Sequence, residues 1–238
     1  MTPHAIDIAV QRAVTKGRIF SPCRSFYVVV PEEYRLWKAV PQEVYLDRMM
    51  QYLGRKYYVA LLSAAERHGA AHQAPMGFQV MVEPPVLRDK ERDGYALRYA
   101  ERRQIPMDYV EHKKVPTGWL NVSSPELTAV DLIADQDHIG GLTRAATVLE
   151  ELAQKLDFSR LDASFLHLAP APVFQRLGYL LDRVLEEESL AEDLLGLMKS
   201  GGLKTKAVTL RLGASAEGAQ IDKKWKVMVN QDIEIDEL

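Results

Sequence analysis

The sequence predicts a mixed α/β fold of the α+β type, and two patterns in its 238 residues support that prediction. Several short segments alternate apolar and polar residues with a period of two, which is typical of strands with one buried face. Longer segments from Gly141 onward repeat apolar residues every three or four positions, which is typical of amphipathic helices. The composition, 47% hydrophobic and 26% charged, is that of a globular protein with a sizeable core.

The first predicted element is a helix over residues 2–17. Thr2 can accept a hydrogen bond at the N-cap, and Pro3 suits the first turn. Gly17 favours the left-handed backbone conformation with which helices commonly end. We expect one apolar side of this helix to be buried, and it is formed by Ile6, Ala9, Val10, Ala13 and Val14.

Two strands are predicted next, over residues 18–22 and 24–30, with a turn around Ser21–Arg24. A helix followed by such a ribbon is the second half of a winged helix-turn-helix, whose helix enters the major groove and whose wing contacts phosphates. Residues 1–60 hold nine Lys and Arg against five Asp and Glu, although the net charge of the chain is −3. The residues that we expect to contact DNA lie on the helix and the wing: His4, Gln11, Arg12, Lys16, Arg18 and Arg24. The alternative is a helix and hairpin with an ordinary solvated surface.

We place a domain boundary at the proline-containing connection near residue 40, with a partial winged helix over residues 1–40 and a larger mixed domain over residues 41–238. The larger domain is predicted to begin with helix–strand–helix over residues 42–70. Strands over 78–83 and 94–102 follow, joined by a charged loop, and then a hairpin over 107–122. Helices are predicted over 123–135, 141–156, 159–168, 172–188 and 189–200, and closing strands over 206–212 and 224–236.

The segment LLSAAERHGAAHQAP places His68 and His72 four residues apart, with Glu66 two residues before the first. Two histidines at this spacing on one helix share a face and can bind zinc. However, Gly69 weakens a helix that continues to His72, and the glutamate precedes the histidine, so the HExxH pattern is absent. We therefore favour a packed helix end in which His68 is hydrogen-bonded. A metal-dependent nuclease that uses these three residues is the alternative, and no cofactor is expected.

The sequence has no GxSxG, Walker A or GxGxxG signature. Its one cysteine, Cys23, excludes an internal disulfide. This cysteine precedes Arg24 and has no histidine near it in sequence, which favours a passive thiol. No apolar run is long enough to cross a bilayer, and the N-terminus lacks the pattern of a signal peptide. These observations predict a cytoplasmic protein that is not an enzyme.

Three segments together resemble a known family: GRIFSPCRSFYVVVPEEYR, LLSAAERHGAAHQAP and QRLGYLLD. Their combination is similar to the AbiEi-type antitoxins of bacterial type IV toxin–antitoxin and abortive-infection systems, and the resemblance covers nearly the full length. It implies an N-terminal winged helix that binds operator DNA and represses the antitoxin–toxin operon. It also implies a C-terminal domain that counteracts a nucleotidyltransferase-type toxin, a role in phage defence, and no enzymatic activity in either part.

The resemblance implies a role in toxin control for four residues of one predicted helix: Gln175, Arg176, Gly178 and Tyr179. Arg183 follows Arg176 by seven residues, and we expect the two arginines to share an exposed stripe. The turn before Phe26 is usually glycine in such antitoxins and is Ser25 here, and members usually carry further helices ahead of the recognition helix. The competing interpretation is a plain transcription regulator with an effector-sensing C-terminal domain.

Overall fold

The computed structural model describes residues 2–36, 40–70, 76–92 and 95–235. Helices and strands are interspersed along the chain, which confirms the predicted α+β fold. The chain divides into two compact units, which are Met1–Val59 with Pro75–Val122 and Ala60–Ala74 with Ser123–Leu238. The boundary predicted near residue 40 separates a DNA-binding part from an antitoxin part, and it stays a prediction.

The first unit begins with helix α1 (Pro3–Thr15), which starts and ends as predicted. Thr2 Oγ1 accepts the backbone N–H of Ala5 at 3.4 Å, so the threonine caps the helix. Gly17 follows the helix with a left-handed φ of 63° and turns the chain.

An antiparallel ribbon of two strands, β1 (Ile19–Cys23) and β2 (Phe26–Val29), comes next. The turn lies later than predicted, at Arg24–Ser25, where Ser25 adopts a left-handed φ of 61°. Pro22 remains inside β1 because the pairing shifts register between Phe20 and Cys23, and proline is tolerated at such irregularities. The left-handed φ explains why this position suits glycine.

Helix α2 (Gln42–Tyr52) and a six-stranded mixed sheet complete the first unit. The strands run over Tyr57–Val59 (β3), Phe78–Val82 (β4), Lys90–Arg92 (β5), Tyr95–Glu101 (β6), Val110–Val115 (β7) and Gly118–Ser123 (β8). Their order is β5-β6-β4-β3-β8-β7. Strand β4 pairs parallel with β6 and antiparallel with β3, and all residues of β3 and β4 are buried.

The charged loop predicted between residues 84 and 94 contains strand β5, so that prediction is wrong in part. Strand β5 pairs antiparallel with β6, in a register that places Lys90 opposite Leu97. Backbone hydrogen bonds to β6 make this segment an edge strand, although its residues do not alternate between apolar and polar. Arg98 also holds the edge through ion pairs with Asp89 at 3.9 Å and Glu91 at 2.5 Å.

The second unit is mainly helical. Its helices are α3 (Leu61–Arg67), α4 (Pro125–Ala134), α5 (Leu142–Ala153), α6 (Ala171–Tyr179) and α7 (Glu188–Ser200), and a π-helical turn over Leu180–Val184 continues α6. Three buried aromatic rings contact one another in its core, with centroid distances of 6.4 Å from Phe158 to Phe165 and 6.0 Å from Phe165 to Phe174.

The helix predicted over residues 159–168 is wrong. This segment forms 3₁₀ turns at Phe158–Arg160 and Ala163–His167. Asp162 Oδ1 accepts the backbone N–H of Ser164 at 2.8 Å, and such a local bond competes with a continuous helix.

The chain ends in a small three-stranded sheet, with strands Val208–Thr209 (β9), Gln220–Asp222 (β10) and Val227–Val229 (β11) in the order β10-β11-β9. The two predicted closing segments are much shorter as strands, and β10 was not predicted. Strands of two or three residues are too short to show a period in the sequence. Of the helices that the structure describes, none has the length and apolarity to cross a membrane.

Candidate functional site

The six residues predicted to contact DNA all have exposed side chains: His4, Gln11 and Arg12 on α1, Lys16 at its end, Arg18 before β1 and Arg24 in the ribbon turn. Arg12 and Lys16 are four residues apart, so they lie one above the other on the same side of the helix end. His4 and Gln11, seven residues apart, share another line of the surface. Their contact with DNA stays a prediction.

The apolar side of α1 is less buried than expected. Val10, Ala13 and Val14 are half-buried, whereas Ile6 is 48% exposed and Ala9 is also exposed. Of the predicted apolar side, only the C-terminal half is therefore partly buried, where the chain turns back and the Arg18 N–H donates to the carbonyl of Ala13 at 2.9 Å.

The ribbon packs against helix α2 through two aromatic pairs. Phe20 meets Tyr45 edge-on, with ring centroids 5.4 Å apart, and Phe26 meets Tyr52 at 5.5 Å. Phe20 and Tyr45 are buried, so this contact forms part of the core of the unit. The ribbon therefore takes its support from α2, which follows it in sequence.

Cys23 lies at the end of β1 as a free, half-buried thiol. Burial raises the pKa of the Cys23 thiol, and the charge of Lys90 lowers it by less. The thiol is therefore protonated at neutral pH, which agrees with the predicted passive role.

His68 is buried, and its Nε2 donates a hydrogen bond to the carbonyl oxygen of Ser123 at 2.7 Å. Because a carbonyl oxygen can only accept, Nε2 carries the proton and is not available as a metal ligand. This confirms the interpretation of His68 as a packed, hydrogen-bonded residue. Glu66 is exposed, and His72 lies outside the described residues.

Two of the residues assigned to toxin control are buried in the second unit. Gln175 is 1% exposed, and its Nε2 lies 2.8 Å from the carbonyl oxygens of both Lys206 and Trp225. Arg176 is 4% exposed, and its Nε donates to the carbonyls of Thr209 and Leu210 at 2.9 and 3.0 Å. Both side chains therefore attach α6 to the backbone of the C-terminal segment.

Gly178 makes the same attachment possible by having no side chain. A Cβ at this position would lie 2.0 Å from Cζ3 of Trp225, far inside contact distance. The buried indole donates its Nε1–H to Asp182 Oδ2 at 2.7 Å. Gln175, Gly178 and Asp182 thus all contact Trp225 from α6 and the π-helical turn.

Asp182 is the centre of a charged cluster. Its Oδ2 lies 2.9 Å from Lys224 Nζ, which also pairs with Glu192 at 2.7 Å. Burial by itself raises the pKa of the Asp182 carboxyl, but hydrogen bonds from Lys224 and Trp225 and the charge of Arg183 outweigh it and hold this pKa below its usual value. The carboxylate is therefore stabilised in its charged form.

Tyr179 and Arg183 are the accessible members of the assigned set. Tyr179 is half-buried, and burial together with the charge of Asp222 raises its pKa. Arg183 is exposed, and its Nε donates to Asp222 Oδ2 at 2.9 Å. The expected exposed stripe of two arginines is wrong, because Arg176 is buried in its carbonyl contacts.

Sequence reasoning missed Trp225, Asp182 and Lys224. A single tryptophan among lysines in KKWK was a usable signal, since a large aromatic residue in a polar segment is often buried. No sequence period connects this tryptophan with α6, which lies some forty residues earlier.

The chain is similar to known proteins over much of its length. A sequence profile of the AbiEi antitoxin C-terminal domain matches residues 58–183, which is more than half of the chain. The chain belongs to the AbiEi antitoxin family. No curated protein matches it. Among solved structures, the RV2827C protein from Mycobacterium tuberculosis is similar, with a TM-score of 0.64 and 17% identity over 93% of this chain and 78% of that one. At this identity the likeness concerns the fold alone.

Membership in the AbiEi antitoxin family confirms the predicted family and gives the chain an antitoxin role in a toxin–antitoxin or abortive-infection system, with a toxin as partner. The AbiEi antitoxins are not an enzyme family. The matched region begins inside β3 and ends at Arg183, so it includes the residues assigned to toxin control. Helix α1 and the ribbon precede the matched region.

Proposed function

We propose that this AbiEi antitoxin belongs to a type IV system, in which it counteracts a nucleotidyltransferase-type toxin encoded beside it and represses its own operon by binding operator DNA. The observation that supports repression is the exposed polar and basic surface of α1 and the ribbon. The observation that supports a toxin-facing role for the second unit is the accessible pair Tyr179 and Arg183 at the end of the matched region.

We assign different contacts with DNA to helix α1 and to the ribbon. Arg12 and Lys16 form no ion pair with any residue that the structure describes, so their charges are available for phosphates. Gln11 and His4 present hydrogen-bonding groups on a neighbouring line of the helix, as base-edge readout requires. Arg18 and Arg24 flank β1 and add cations at the wing. A protein that makes these contacts with operator DNA acts in the bacterial cytoplasm.

The residues assigned to toxin control divide into those that position α6 and those that contact the toxin. Gln175 and Arg176 hold α6 on the C-terminal segment through buried hydrogen bonds, and Gly178 allows Trp225 to pack closely against the helix. Tyr179 and Arg183 stand at the surface of that same helix and its π-helical turn. We therefore assign direct contact to these two residues and positioning to the other three. The proposed activity is binding, and it assigns no catalytic step to His68, whose Nε2 proton is already donated.

The test is co-expression with the neighbouring nucleotidyltransferase, scoring growth and the activity of a reporter under the operon's promoter. Four chains are compared: wild type, the double variant Arg12→Gln/Lys16→Gln, Arg183→Ala, and Arg160→Ala as a matched control. Arg160 is an exposed arginine of the same unit, 84% exposed and paired with Asp157. Point variants are preferable to deleting residues 1–40, because the ribbon contributes Phe20 to a buried contact with α2.

Wild type and Arg160→Ala should restore growth and repress the reporter. The double variant should restore growth but lose repression, and Arg183→Ala should repress but protect less. Failure of the wild-type chain to restore growth would overturn the proposed toxin and leave repression as the activity. Full protection by Arg183→Ala would remove that residue from the toxin contact.

A further inference from the structure

The first unit contains a cleft of about 500 Å³ between the C-terminal end of α2 and strands β3, β7 and β8. This volume lies within the range of roughly 300–1,000 Å³ that is usual for small-molecule sites. The cleft uses none of the residues assigned to DNA or toxin contact. Its lining combines a hydrogen-bonded polar floor, one exposed tryptophan and two cations.

The floor is a fixed network around Asp47. Gln51 Nε2 donates to Asp47 Oδ2 at 2.6 Å, and the hydroxyl of Tyr57 donates to Oδ1 at 3.0 Å. Burial raises the pKa of Tyr57, so the hydroxyl keeps its proton and remains a donor. Both carboxylate oxygens therefore already accept a bond, which reduces their repulsion of an anionic ligand.

Two side-chain amides offer unused acceptors at this floor. Asn121 Nδ2 donates to the carbonyl oxygen of Tyr57 at 3.2 Å, which orients the amide. Within the described part of the chain, the amide oxygens of Asn121 and Gln51 accept no hydrogen bond. An oriented amide with a free oxygen can recognise the amino groups and ring N–H groups of nucleobases.

Trp119 supplies an aromatic face. It is 55% exposed, and it lies on the same face of β8 as Asn121, whereas Leu120 between them points to the buried side. A large exposed aromatic ring is the kind of platform on which single-strand-binding proteins stack bases.

The charge of the cleft favours an anion. Lys56 is exposed and forms no ion pair or hydrogen bond with any described residue. Arg55 is held in place because its Nη2 donates to the carbonyls of Glu83 and Pro85. Two cations therefore accompany one carboxylate that is already hydrogen-bonded, and a phosphate is the anion that fits beside a stacked base.

We propose that this cleft binds a nucleoside phosphate, with the base stacked on Trp119, its edge bonded by the amides of Asn121 and Gln51, and its phosphate at Lys56. The site goes beyond the proposed operator contact, because duplex DNA keeps its bases paired and stacked whereas this cleft needs an unpaired one. A free mononucleotide and an unpaired nucleotide in a single strand share this chemistry.

The test is isothermal titration calorimetry of the full chain at low salt. The probes are the four ribonucleoside monophosphates, adenosine, inorganic phosphate, and an oligouridylate of about twelve nucleotides. The variants are Trp119→Ala, Trp119→Phe and Lys56→Gln. Tyr27→Ala and Lys114→Gln serve as controls, since Tyr27 is a similarly exposed aromatic residue and Lys114 an exposed lysine, and both lie outside the cleft.

At least one nucleotide should bind with a Kd below about 1 mM. Trp119→Ala should weaken binding about tenfold, and Trp119→Phe should restore most of it, because the phenyl ring still stacks. Lys56→Gln should weaken the nucleotides but leave adenosine unchanged. Tighter binding of the oligouridylate than of the monophosphates identifies a strand as the source, and the reverse identifies a free nucleotide.

Three results would overturn the proposal: no binding of any nucleotide, equal binding of inorganic phosphate and nucleotides, or equal affinities for Trp119→Ala and Tyr27→Ala. None of these measurements involves the toxin or the operator. Failure of this site and failure of the proposed antitoxin function are therefore distinguishable.

Discussion

Gly178 and Trp225 are in such close contact that a methyl group on the glycine would lie 2.0 Å from the indole Cζ3 atom. The same tryptophan is hydrogen-bonded through its backbone carbonyl to Gln175 and through its indole N–H to Asp182. Residues 175, 178 and 182 share one side of a helix, so a single stripe of α6 and its π-helical turn holds Trp225. The QRLGYLLD motif therefore has a structural role as the attachment site of the C-terminal segment.

The substitution Gly178→Ala should destabilise the protein. The added methyl group overlaps the ring, and overpacking of this kind costs about 3 kcal/mol, which corresponds to a fall of about 9 °C in Tm. Gly196→Ala is the matched control, because Gly196 lies in helix α7 with open space where a Cβ would be added, and this substitution should raise stability by about 1 kcal/mol. Thermal unfolding by circular dichroism measures both. Equal Tm values for the two variants would contradict the close contact.

The lowered pKa of Asp182 should make its contribution to stability depend on pH. A carboxyl whose pKa is lower in the folded state stabilises the fold above its unfolded pKa, near 3.8, and loses this contribution as pH falls through the folded value. The difference in unfolding free energy between wild type and Asp182→Asn should therefore be constant above about pH 5 and shrink toward about pH 3. Urea unfolding across this range measures the difference, and a constant value down to the lowest pH would refute the role of the charge.

The aromatic contact between the ribbon and α2 should hold β1 and β2 in place. Phe20→Ala removes a buried ring from its edge-on contact with Tyr45 and should cost about 3 kcal/mol. Hydrogen exchange should accelerate in residues 19–29 more than in β4. Val29→Ala is the control, because Val29 is 72% exposed on the same ribbon, and its exchange should stay close to wild type. Unchanged exchange in Phe20→Ala would show that the ribbon does not depend on this contact.

The double variant Arg12→Gln/Lys16→Gln should weaken binding to every DNA sequence by a similar factor. If each side chain neutralises one phosphate, the slope of log K against log salt should become shallower by about 1.8. Lys199→Gln, an exposed lysine at the end of α7, should leave the slope unchanged. Fluorescence anisotropy at several salt concentrations provides the slopes, and identical slopes for all three chains would remove both residues from the footprint.

Local signals in the sequence predicted local structure well. Thr2 and Gly17 mark the ends of α1, because capping and left-handed backbone depend on a few neighbouring residues. The interpretation of His68 as a packed, hydrogen-bonded residue is also confirmed. It rested on Gly69, which follows His68 directly and weakens a helix that would continue to His72.

The errors concern contacts between distant parts of the chain. Arg176 was expected at the surface because arginine is usually exposed, yet it is buried by carbonyl groups some thirty residues later. Strand β5 was expected as a loop because its charged residues show no apolar alternation, and only the edge of β6 makes it a strand. The cleft lined by Trp119 is likewise assembled from α2, β3 and β8, which no sequence pattern relates.

The amino-acid sequence by itself determined the α+β class, the ends of α1 and the family, because these depend on composition, capping residues, period and motif. Only the tertiary structure decided which residues of the QRLGYLLD motif are accessible. It placed Gln175, Arg176 and Gly178 against the C-terminal segment and left Tyr179, and Arg183 just after the motif, accessible. The physical reason is that burial of a polar side chain is decided by the distant backbone groups that satisfy its hydrogen bonds, and the local sequence does not specify them.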